Sequence, residues 1–519
     1  MSKADTTPAT TGAPRTERPR TFRRRLLKAT AWGCGGAVLL LVAFAGLLFV
    51  YVSRVPQAYS QPANPLAPPT PSDYAASELD GFESPYLGHT GSWDGKGGNI
   101  WGGSKVPDLE KEAGMGLRWT FMPVNWSAME PERPTDLKRE APPAWRALDA
   151  FVIEAQRRRL NVLMQAPVVG GNAGGPPAWA GRRERGKSAP LDMTALAAFA
   201  GKLAGRYCPG GTLAREQGWG SRYGVRAWEL DNEPEMYRTH WEGQAGDYAE
   251  FLTLAATQIR TADPKAWIVA PALAAGKGGL RWLDGTLDPG ALAGSPMFRA
   301  QGRPYAIGRV LDVVSFHNYE GLDSAFSGEP RTVSEVLDDV RAVFEKWERR
   351  TPGFTYSRKK DYWHTEGNFD FVGALSAQRR AAWRMQFFTR AFAAGLRKVC
   401  VMDASEREQA AVRAYVRVLP WPFPMNDAVV EVRVLHGCAA AFRHPDGEQP
   451  EAGQVWIIWA IAGTGDTEVE VPVRRDRVRL VRVDGASSVA SAPGHRLTLG
   501  LRGDSKMAAP VMVVDRVGE

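Results

Sequence analysis

The feature that most constrains the fold is an alternation of short β-like runs with amphipathic helical patterns. The eight β-like runs cover 86–91, 116–124, 161–169, 225–233, 267–273, 312–319, 361–367 and 398–404. Helical segments with one apolar face lie between runs, at 144–159, 194–207, 247–262, 333–347 and 380–395. Eight β-plus-helix units predict an α/β fold, a (β/α)8 TIM barrel with inserted loops. A doubly wound sheet is disfavoured because the Gly-rich stretches at 95–98 and 170–175 lack the spacing of a phosphate-binding turn.

The helical pattern stops after about residue 425. Six alternating runs follow, separated by turn residues: VVEVRVL, QVWIIWAI, TEVEVPV, RVRLVRV, HRLTLGL and PVMVVD. This pattern is typical of short antiparallel strands that bury one face. We therefore expect a barrel over 81–425 and a C-terminal antiparallel β-sandwich over 426–519.

The amino terminus has the composition of a membrane anchor. Residues 29–53 form 25 consecutive positions without a charge, more than the ~20 that a helix needs to cross a bilayer. Residues 1–28 contain eight Lys or Arg against two acidic residues, which predicts a basic cytoplasmic tail. Residues 54–80 are Pro-rich and predict an extended linker. The expectation is an N-terminal transmembrane helix, single-pass in the cytoplasmic membrane, with the barrel on the extracytoplasmic side. The alternative is a cleaved signal peptide, although its apolar core usually has only ~7–15 residues.

Charge and cysteine content exclude several classes of function. Most of the net charge of +8 belongs to the basic tail, so the rest of the chain is nearly neutral and nothing indicates a nucleic-acid partner. The predicted extracytoplasmic part contains Cys208, Cys400 and Cys438, which allow at most one internal disulfide. We expect buried free thiols. No Cys–His cluster indicates a metal site, and no cofactor is expected.

Polar side chains stand at the carboxyl ends of the predicted strands, where a barrel of this type places its active site. Glu233 ends the fourth run and Glu366 lies near the end of the seventh. Two carboxyl groups across one site suit glycoside chemistry, in which one gives a proton to the leaving oxygen and the other attacks or stabilises the anomeric carbon. The sequence has no GxSxG nucleophile elbow and no legible Cys–His pair.

Several motifs, taken in chain order, resemble those of clan A glycoside hydrolases. WELDNEP resembles their fourth-strand Asn-Glu-Pro signature, SFHNY their sixth-strand His-x-Tyr and WHTEGNF their seventh-strand glutamate. RWTFMPVNWSAMEP, then NVLMQAP, PPAWA and the later QVWIIWA, resemble glycoside hydrolase family 39 in particular. The resemblance covers roughly residues 82–519. The membrane-linked arrangement is similar to that of glycosidases of bacterial exopolysaccharide systems.

The resemblance implies a retaining glycosidase that cleaves an extracytoplasmic polysaccharide by double displacement. Glu366 would be the nucleophile and Glu233 the general acid/base, with a pKa that the ionised Glu366 raises. Asn232 would hydrogen-bond the sugar 2-hydroxyl, Tyr319 would orient Glu366, and His317 would line the subsite. Two alternatives stay open: a transglycosylase on the same substrate, and a carbohydrate-binding or assembly subunit without turnover.

Other strand-end and loop residues are candidates for contacting the sugar. They are His89, Asn125, Trp126, Trp179 and Trp241. Tryptophan suits this role because it offers a flat apolar face and one N–H donor. For each of them, packing inside the protein is the competing interpretation.

Two features of the sequence depart from the clan pattern. Phe121 occupies the second-strand position at which clan members usually carry an arginine, and the nearest arginine, Arg118, faces the other way in a regular strand. The eighth strand ends in Met402 and Asp403, where a tryptophan is often found. Either a bulge re-aims Arg118, or other donors hold the nucleophile.

The acidic fourth strand raises a further question about side-chain direction. Glu229 and Asp231 share a face with Glu233 by alternation, and we expect them to be paired structural carboxylates with Arg118 as one possible partner. Asn232 does not share that face. It reaches the same sugar as Glu233 only if the strand twists or bulges at its end.

Overall fold

The structure is a computed structural model of the 519-residue chain. It describes residues 84–89, 108–133, 143–169, 175–182, 189–219, 223–236, 241, 244–274, 277–288, 290, 310–320, 331–350, 361–369, 375–402, 404–420, 423–424, 437–443, 453–460, 465–503 and 507–516. All of them belong to one compact unit of the chain.

Eight parallel strands close into a barrel in chain order, as the sequence predicts. They are β1 (Tyr86–His89), β2 (Trp119–Asn125), β3 (Asn161–Val168), β4 (Ala227–Glu229), β5 (Trp267–Ala274), β6 (Val313–His317), β7 (Asp361–Glu366) and β8 (Lys398–Met402). Each begins within three residues of its predicted start. The largest difference at the other end is in β4, which was expected to run to Glu233 and stops at Glu229.

Ten α-helices accompany the strands within the described residues. They are α1 (Leu109–Gly114), α2 (Trp126–Met129), α3 (Pro143–Arg157), α4 (Met193–Tyr207), α5 (Thr212–Glu216), α6 (Ala245–Ala262), α7 (Lys277–Leu287), α8 (Val333–Arg350), α9 (Ala377–Ala393) and α10 (Glu406–Val418). Short 3-10 turns lie at Ala178–Ala180 and Pro493–His495. The five predicted helices correspond to α3, α4, α6, α8 and α9, and each carries its apolar stripe toward the barrel.

The barrel interior changes from apolar to polar along the strands. Its apolar part includes Leu87, Trp119, Phe121, Leu163, Ala227, Trp267, Val313, Trp363 and Cys400. At its amino end the Lys398 ammonium lies 4.3 Å from the centroid of the Trp119 ring and donates a hydrogen bond to the Ser84 carbonyl. Two residues after the apolar Leu163 and Ala227, the inward positions of β3 and β4 are occupied by the polar Gln165 and Glu229. Buried polar groups at one end of a packed core are costly unless they are paired or functional, so this end is where a site is expected.

The strands lose their regularity at that same carboxyl end. The pairing register shifts at three places. The extra residue lies on β3 between Gln165 and Val168 opposite β2, on β5 between Ala270 and Leu273 opposite β6, and on β7 between His364 and Glu366 opposite β6. Such bulges re-aim side chains near active sites. Asp231 and Glu233, just after β4, have left-handed backbone conformations with φ of 63° and 42°. Non-glycine residues rarely adopt this conformation, and those that do are concentrated at functional sites.

The C-terminal region forms antiparallel sheets. The strands are β9 (Phe423–Pro424), β10 (Gly437–Arg443), β11 (Gly453–Ala460), β12 (Thr467–Pro472), β13 (Arg477–Arg482), β14 (Ser487–Ser491), β15 (Arg496–Leu501) and β16 (Val511–Arg516). One sheet has six strands in the order β14-β13-β16-β11-β10-β9, and the other pairs β12 with β15. Five predicted runs correspond to strands. The sixth, VVEVRVL, lies outside the described residues. The sequence interpretation missed β10 and β14, whose small residues GCAAAFR and SSVAS give little β signal.

Two expectations concern the membrane and the thiols. No helix among the described residues is long and apolar enough to cross a membrane. The predicted anchor at 29–53 lies outside the described residues, as do the tail at 1–28 and the linker at 54–80. Cys208 and Cys400 are buried free thiols, as expected.

Gly367, directly after β7, allows a close approach between two strand ends. A Cβ at this position would collide with the backbone carbonyl oxygen of Asn318 and with the His364 ring. We expect Gly367→Ala to lower the free energy of unfolding by about 1–3 kcal/mol, because backbone cannot move aside as a flexible side chain can. Urea unfolding measures this. Gly205→Ala in α4 is the control: a Cβ there meets nothing within 4 Å, so no loss is expected. Equal stability of the two variants would contradict the close contact.

Candidate active site

Four predicted residues meet at the carboxyl end of the barrel. Carboxylate oxygens of Glu233 and Glu366 and a ring nitrogen of His317 all lie within 4.8 Å of one another. The His317 Nδ1 atom is 2.8 Å from Oε1 of Glu233. The Tyr319 hydroxyl donates a hydrogen bond of 2.5 Å to Oε1 of Glu366. Each glutamate is therefore held by a different residue at the end of β6.

The register shift between β6 and β7 explains how Glu366 enters the site. Phe316 is opposite His364, but the next residue of β6, His317, is opposite Glu366. The extra residue on β7 is Thr365. By simple alternation Glu366 would point the same way as His364, whose ring packs against Phe387 of α9. The bulge instead brings the carboxylate beside the β6 side chains.

The charges of the cluster shift the pKa of several members. Burial alone would lower the pKa of His317, but the carboxylates of Glu366 and Glu233 outweigh it and raise the pKa to about 9. Burial is the largest influence on Glu366 and raises its pKa, and the charge of Glu233 adds to this. His317 and the Tyr319 hydrogen bond act in the opposite direction. Two buried carboxyls this close disfavour ionisation of both at once, and a cationic histidine beside them favours the ionised form.

The segment after β4 is tied to β5 and to α6. Leu230 N–H donates to the Val269 carbonyl, and Glu233 N–H donates to the Ala272 carbonyl. The Tyr248 hydroxyl of α6 donates to the Leu230 carbonyl over 2.6 Å. These bonds hold the left-handed residues in place, and the regular strand that would have argued against Asn232 in the site is absent.

The predicted partner of the buried carboxylates is wrong. Arg118 donates to the Leu117 carbonyl and precedes β2, at the opposite end of the barrel. Glu229 accepts instead from Gln165 Nε2 at 2.9 Å. Asp231 accepts from the backbone N–H groups of Val169 and Asn232. No bulge re-aims Arg118 toward Glu366; Tyr319 is the donor there.

Three of the other proposed sugar contacts are instead engaged in packing or in capping a helix. Trp126 is fully buried and donates to Glu130, and Trp241 is fully buried between Tyr248 and Phe251. Their rings therefore offer no face to a ligand. Asn125 caps α2, where its Oδ1 accepts from Ser127 N–H.

Trp179 and His89 are the other two proposed sugar contacts. Trp179 is half-buried, donates to the Glu130 carbonyl and packs edge-on against Trp126. His89 ends β1, and its ring centroid lies 4.4 Å from that of Phe121. Burial, with the charge of His317, lowers the pKa of His89 to about 3, so this imidazole is neutral.

The cluster also has the donor types of a metal site. Glu233, His317 and Glu366 are the described residues whose carboxylate and imidazole atoms are close enough together to be considered as ligands. The hydrogen bond between His317 and Glu233 and the one from Tyr319 to Glu366 engage Nδ1 of His317 and one oxygen of each carboxylate.

The sequence interpretation missed two side chains next to the site. Gln165 lies on the inner face of β3, two residues after Leu163, and a polar residue at an inward position near a strand's carboxyl end was the available signal. Met402 was noted only because it stands where clan members often carry a tryptophan. Its sulfur lies 3.5 Å from the Tyr319 hydroxyl, and its carbonyl accepts from the buried Arg384, which pairs with Glu408. Asp403 lies outside the described residues.

The raised pKa of His317 makes stability depend on pH. The folded-state pKa of about 9 exceeds the ordinary 6.5, so the stabilisation is complete below about pH 6.5 and lost as pH rises through 9. We expect the stability advantage of wild type over His317→Asn to shrink by about 3 kcal/mol across this window. The titratable groups around His317 are Glu229, Glu233, Glu235, Glu366, His89 and His364.

Urea unfolding at a series of pH values measures this difference. Asparagine is the suitable replacement because its amide can occupy the place of Nδ1 without a titrating charge. His495→Asn, at an exposed turn, is the control. A difference between wild type and His317→Asn that stays constant from about pH 6 to about pH 10 would contradict a cationic His317.

Comparison with known proteins places this barrel among glycosidase folds. No protein-family model matches the sequence, and no curated protein does. A glucosidase from Croceicoccus marinus is similar with a TM-score of 0.53 and 15% identity, over 84% of this chain and 96% of the glucosidase. CelM2, a bifunctional glucanase-xylanase from a metagenome library, has a TM-score of 0.50 and 14% identity, over 79% and 94%. A monomeric β-xylosidase from Caulobacter crescentus has a TM-score of 0.50 and 14% identity, over 83% and 96%. The expected resemblance to clan A glycoside hydrolases is thereby confirmed at the level of the fold.

Proposed function

We propose that the protein is a retaining glycoside hydrolase that cleaves a polysaccharide outside the cytoplasmic membrane. The observation that carries the proposal is the pair of glutamates, Glu233 and Glu366, whose carboxylates each have an oxygen within 4.8 Å of one of the other. Retaining enzymes hold their two carboxyls ~5–5.5 Å apart, whereas inverting enzymes need ~6.5–9.5 Å to admit a water. The glycosidase folds of the similar structures support the same reaction class.

In the first proposed step, an oxygen of ionised Glu366 attacks the anomeric carbon. The bond to the leaving oxygen breaks as Glu233, a carboxylic acid at this stage, gives that oxygen its proton. Tyr319 holds Oε1 of Glu366, so Oε2 is the attacking oxygen. His317 keeps Glu233 aimed at the leaving group and, as a cation, favours the ionised form of Glu366.

In the second step, water attacks the anomeric carbon of the glycosyl ester. Glu233, now a carboxylate, takes a proton from this water while the ester bond to Glu366 breaks. Both glutamates return to their starting states, and the anomeric configuration is retained after two inversions. In this scheme Asn232 contacts the sugar 2-hydroxyl, and His89 is a further candidate for a sugar contact.

The substrate and the location are also part of the proposal. The similar structures are a glucosidase, a glucanase-xylanase and a β-xylosidase, so β-linked glucose and xylose units are the first substrates to test. The uncharged segment 29–53, preceded by the basic tail, favours a single-pass membrane anchor. An anchored enzyme beyond the membrane meets polymers that leave the cell, which favours an exopolysaccharide as the natural substrate.

Proton NMR of the first product tests this function. The full-length protein in mild detergent is incubated with β-glucans, xylans and bacterial exopolysaccharides, and the anomer released in the first minutes is recorded. We expect the configuration of the cleaved bond to be retained. Release of the opposite anomer would contradict double displacement, and no cleavage of any polymer would favour a binding subunit. Products longer than the substrate would identify a transglycosylase.

A further inference from the structure

Gln165 lies at the inner face of β3 and connects two residues of the acidic segment. It is directly opposite Glu229 in the parallel pairing of β3 with β4. Its Nε2 atom is 2.9 Å from Oε2 of Glu229 and 2.9 Å from Oδ1 of Asn232. Gln165 is 2% exposed, so solvent does not compete for these bonds.

The two bonds use the full donor capacity of the amide. An amide nitrogen carries two hydrogens, and here one points to each acceptor. The carboxylate of Glu229 can only accept, and it therefore fixes which end of the Gln165 amide faces it. The same nitrogen then requires Asn232 to present its oxygen to Gln165. The Nδ2 group of Asn232 is left on the side away from Gln165.

The backbone around Asn232 makes this contact possible. Asn232 lies between the left-handed Asp231 and Glu233, so its side chain no longer follows the alternation of β4. Asp231 accepts from the backbone N–H of Asn232 and also from that of Val169, just beyond β3. The end of β3 thus holds Asn232 by its side chain through Gln165 and by its backbone through Asp231.

We infer that Gln165 is the positioning residue for Asn232 and sets the polarity of its contact with the substrate. In this chain of hydrogen bonds, Gln165 donates both to Glu229 and to the side-chain oxygen of Asn232. The Nδ2 group of Asn232 then remains as the donor for a sugar hydroxyl. The inference rests on the proposed function for the identity of that hydroxyl. The new element is that Gln165 of β3, which touches Asn232 and not the sugar, sets the preference for a sugar with a 2-hydroxyl.

The inference is tested by comparing wild type and Gln165→Met on substrates with and without the 2-hydroxyl. Gln165→Met has similar volume and no donor, and the probes are 4-nitrophenyl β-D-glucoside and β-D-xyloside with their 2-deoxy counterparts. In wild type, kcat/KM should be higher for the 2-hydroxy probe. Because the released Asn232 amide no longer favours that hydroxyl, we expect the ratio between the two probes to fall by about 10- to 100-fold. A purely structural loss would lower both probes equally and leave the ratio unchanged, which would overturn the inference.

Two further variants sharpen this comparison. Gln386→Met is the matched control, because Gln386 is another buried glutamine whose amide donates, but to the Ala508 carbonyl. It should keep the wild-type ratio. Glu229→Leu removes the acceptor that orients the Gln165 amide and should lower the ratio. Loss of the ratio in the Gln386 variant would show that the effect is not specific to β3.

A crystal structure of the Gln165→Met variant gives a readout that needs no turnover. We expect the Asn232 amide to leave its present orientation or to occupy several. An Asn232 side chain unchanged in position would overturn the inference even if activity were lost. If wild type cleaves neither probe, the proposed function fails on these substrates, but the Asn232 orientation still decides the role of Gln165.

Discussion

Glu366→Gln is expected to abolish hydrolysis while the polysaccharide still binds. An amide oxygen is a poor nucleophile, so the glycosyl ester does not form, and the loss of kcat should reach about 10⁴-fold or more. Glutamine has the same shape and still offers an oxygen to the Tyr319 hydroxyl, so the fold and the subsite should persist. Reducing-sugar release measures turnover, and calorimetric titration with the polymer measures binding.

Glu320→Gln controls for the removal of a buried carboxylate near the site. Glu320 follows Tyr319 and accepts from Trp383 and Arg390, so its loss should lower stability and leave most of kcat. Cleavage by the Glu366 variant at the wild-type rate would exclude Glu366 as the nucleophile. Loss of both binding and turnover would instead indicate that the site had collapsed.

Glu233→Ala is expected to slow hydrolysis by about 10²- to 10⁴-fold and to respond to azide. Without Glu233, water has no base and the glycosyl ester on Glu366 accumulates. Azide needs no base to attack, and the space left by the side chain admits it. With 2,4-dinitrophenyl glycosides, whose leaving group needs no proton, added azide should restore turnover. The product should be a β-glycosyl azide if the enzyme retains a β configuration, and NMR identifies it.

The Glu366→Ala variant distinguishes the two glutamates in this experiment. It has no nucleophile, so it forms no ester, and azide attacks the substrate directly to give the α-glycosyl azide. Absence of azide rescue in the Glu233 variant on an activated substrate would count against its role as acid/base. An α product from that variant would exchange the roles of Glu233 and Glu366.

The barrel could be predicted from sequence because its signal is repeated. Each strand contributes a short apolar run and each helix a stripe of period 3.6, and eight repeats in a row leave few other folds. The runs that contain His317 and Glu366 were also recognisable, since a titratable residue near the carboxyl end of a buried strand is unusual. Local pattern and the family resemblance together singled out the two glutamates and the two neighbours at the end of β6 as candidates.

Side-chain direction at the strand ends could not be predicted. Alternation places Glu366 on the outer face, and only the extra residue on β7 reverses this. The left-handed Asp231 and Glu233 likewise depend on hydrogen bonds from β3, β5 and α6, which are distant in sequence. Trp126 and Trp241 were misjudged for a related reason, because composition does not tell whether an indole packs inward or faces a cleft.

The bulged ends of β3, β5 and β7 determine what would have to be transferred to build this site elsewhere. Grafting the ten residues WELDNEPEMY onto another eight-stranded barrel would carry Glu233 but not its geometry. The portable unit consists of the strand ends with their additional residues, because the extra residue of β7 turns Glu366 inward. Insertions between a strand and its helix should be tolerated in such a graft, whereas removal of one residue from the end of β7 should turn Glu366 out of the cavity.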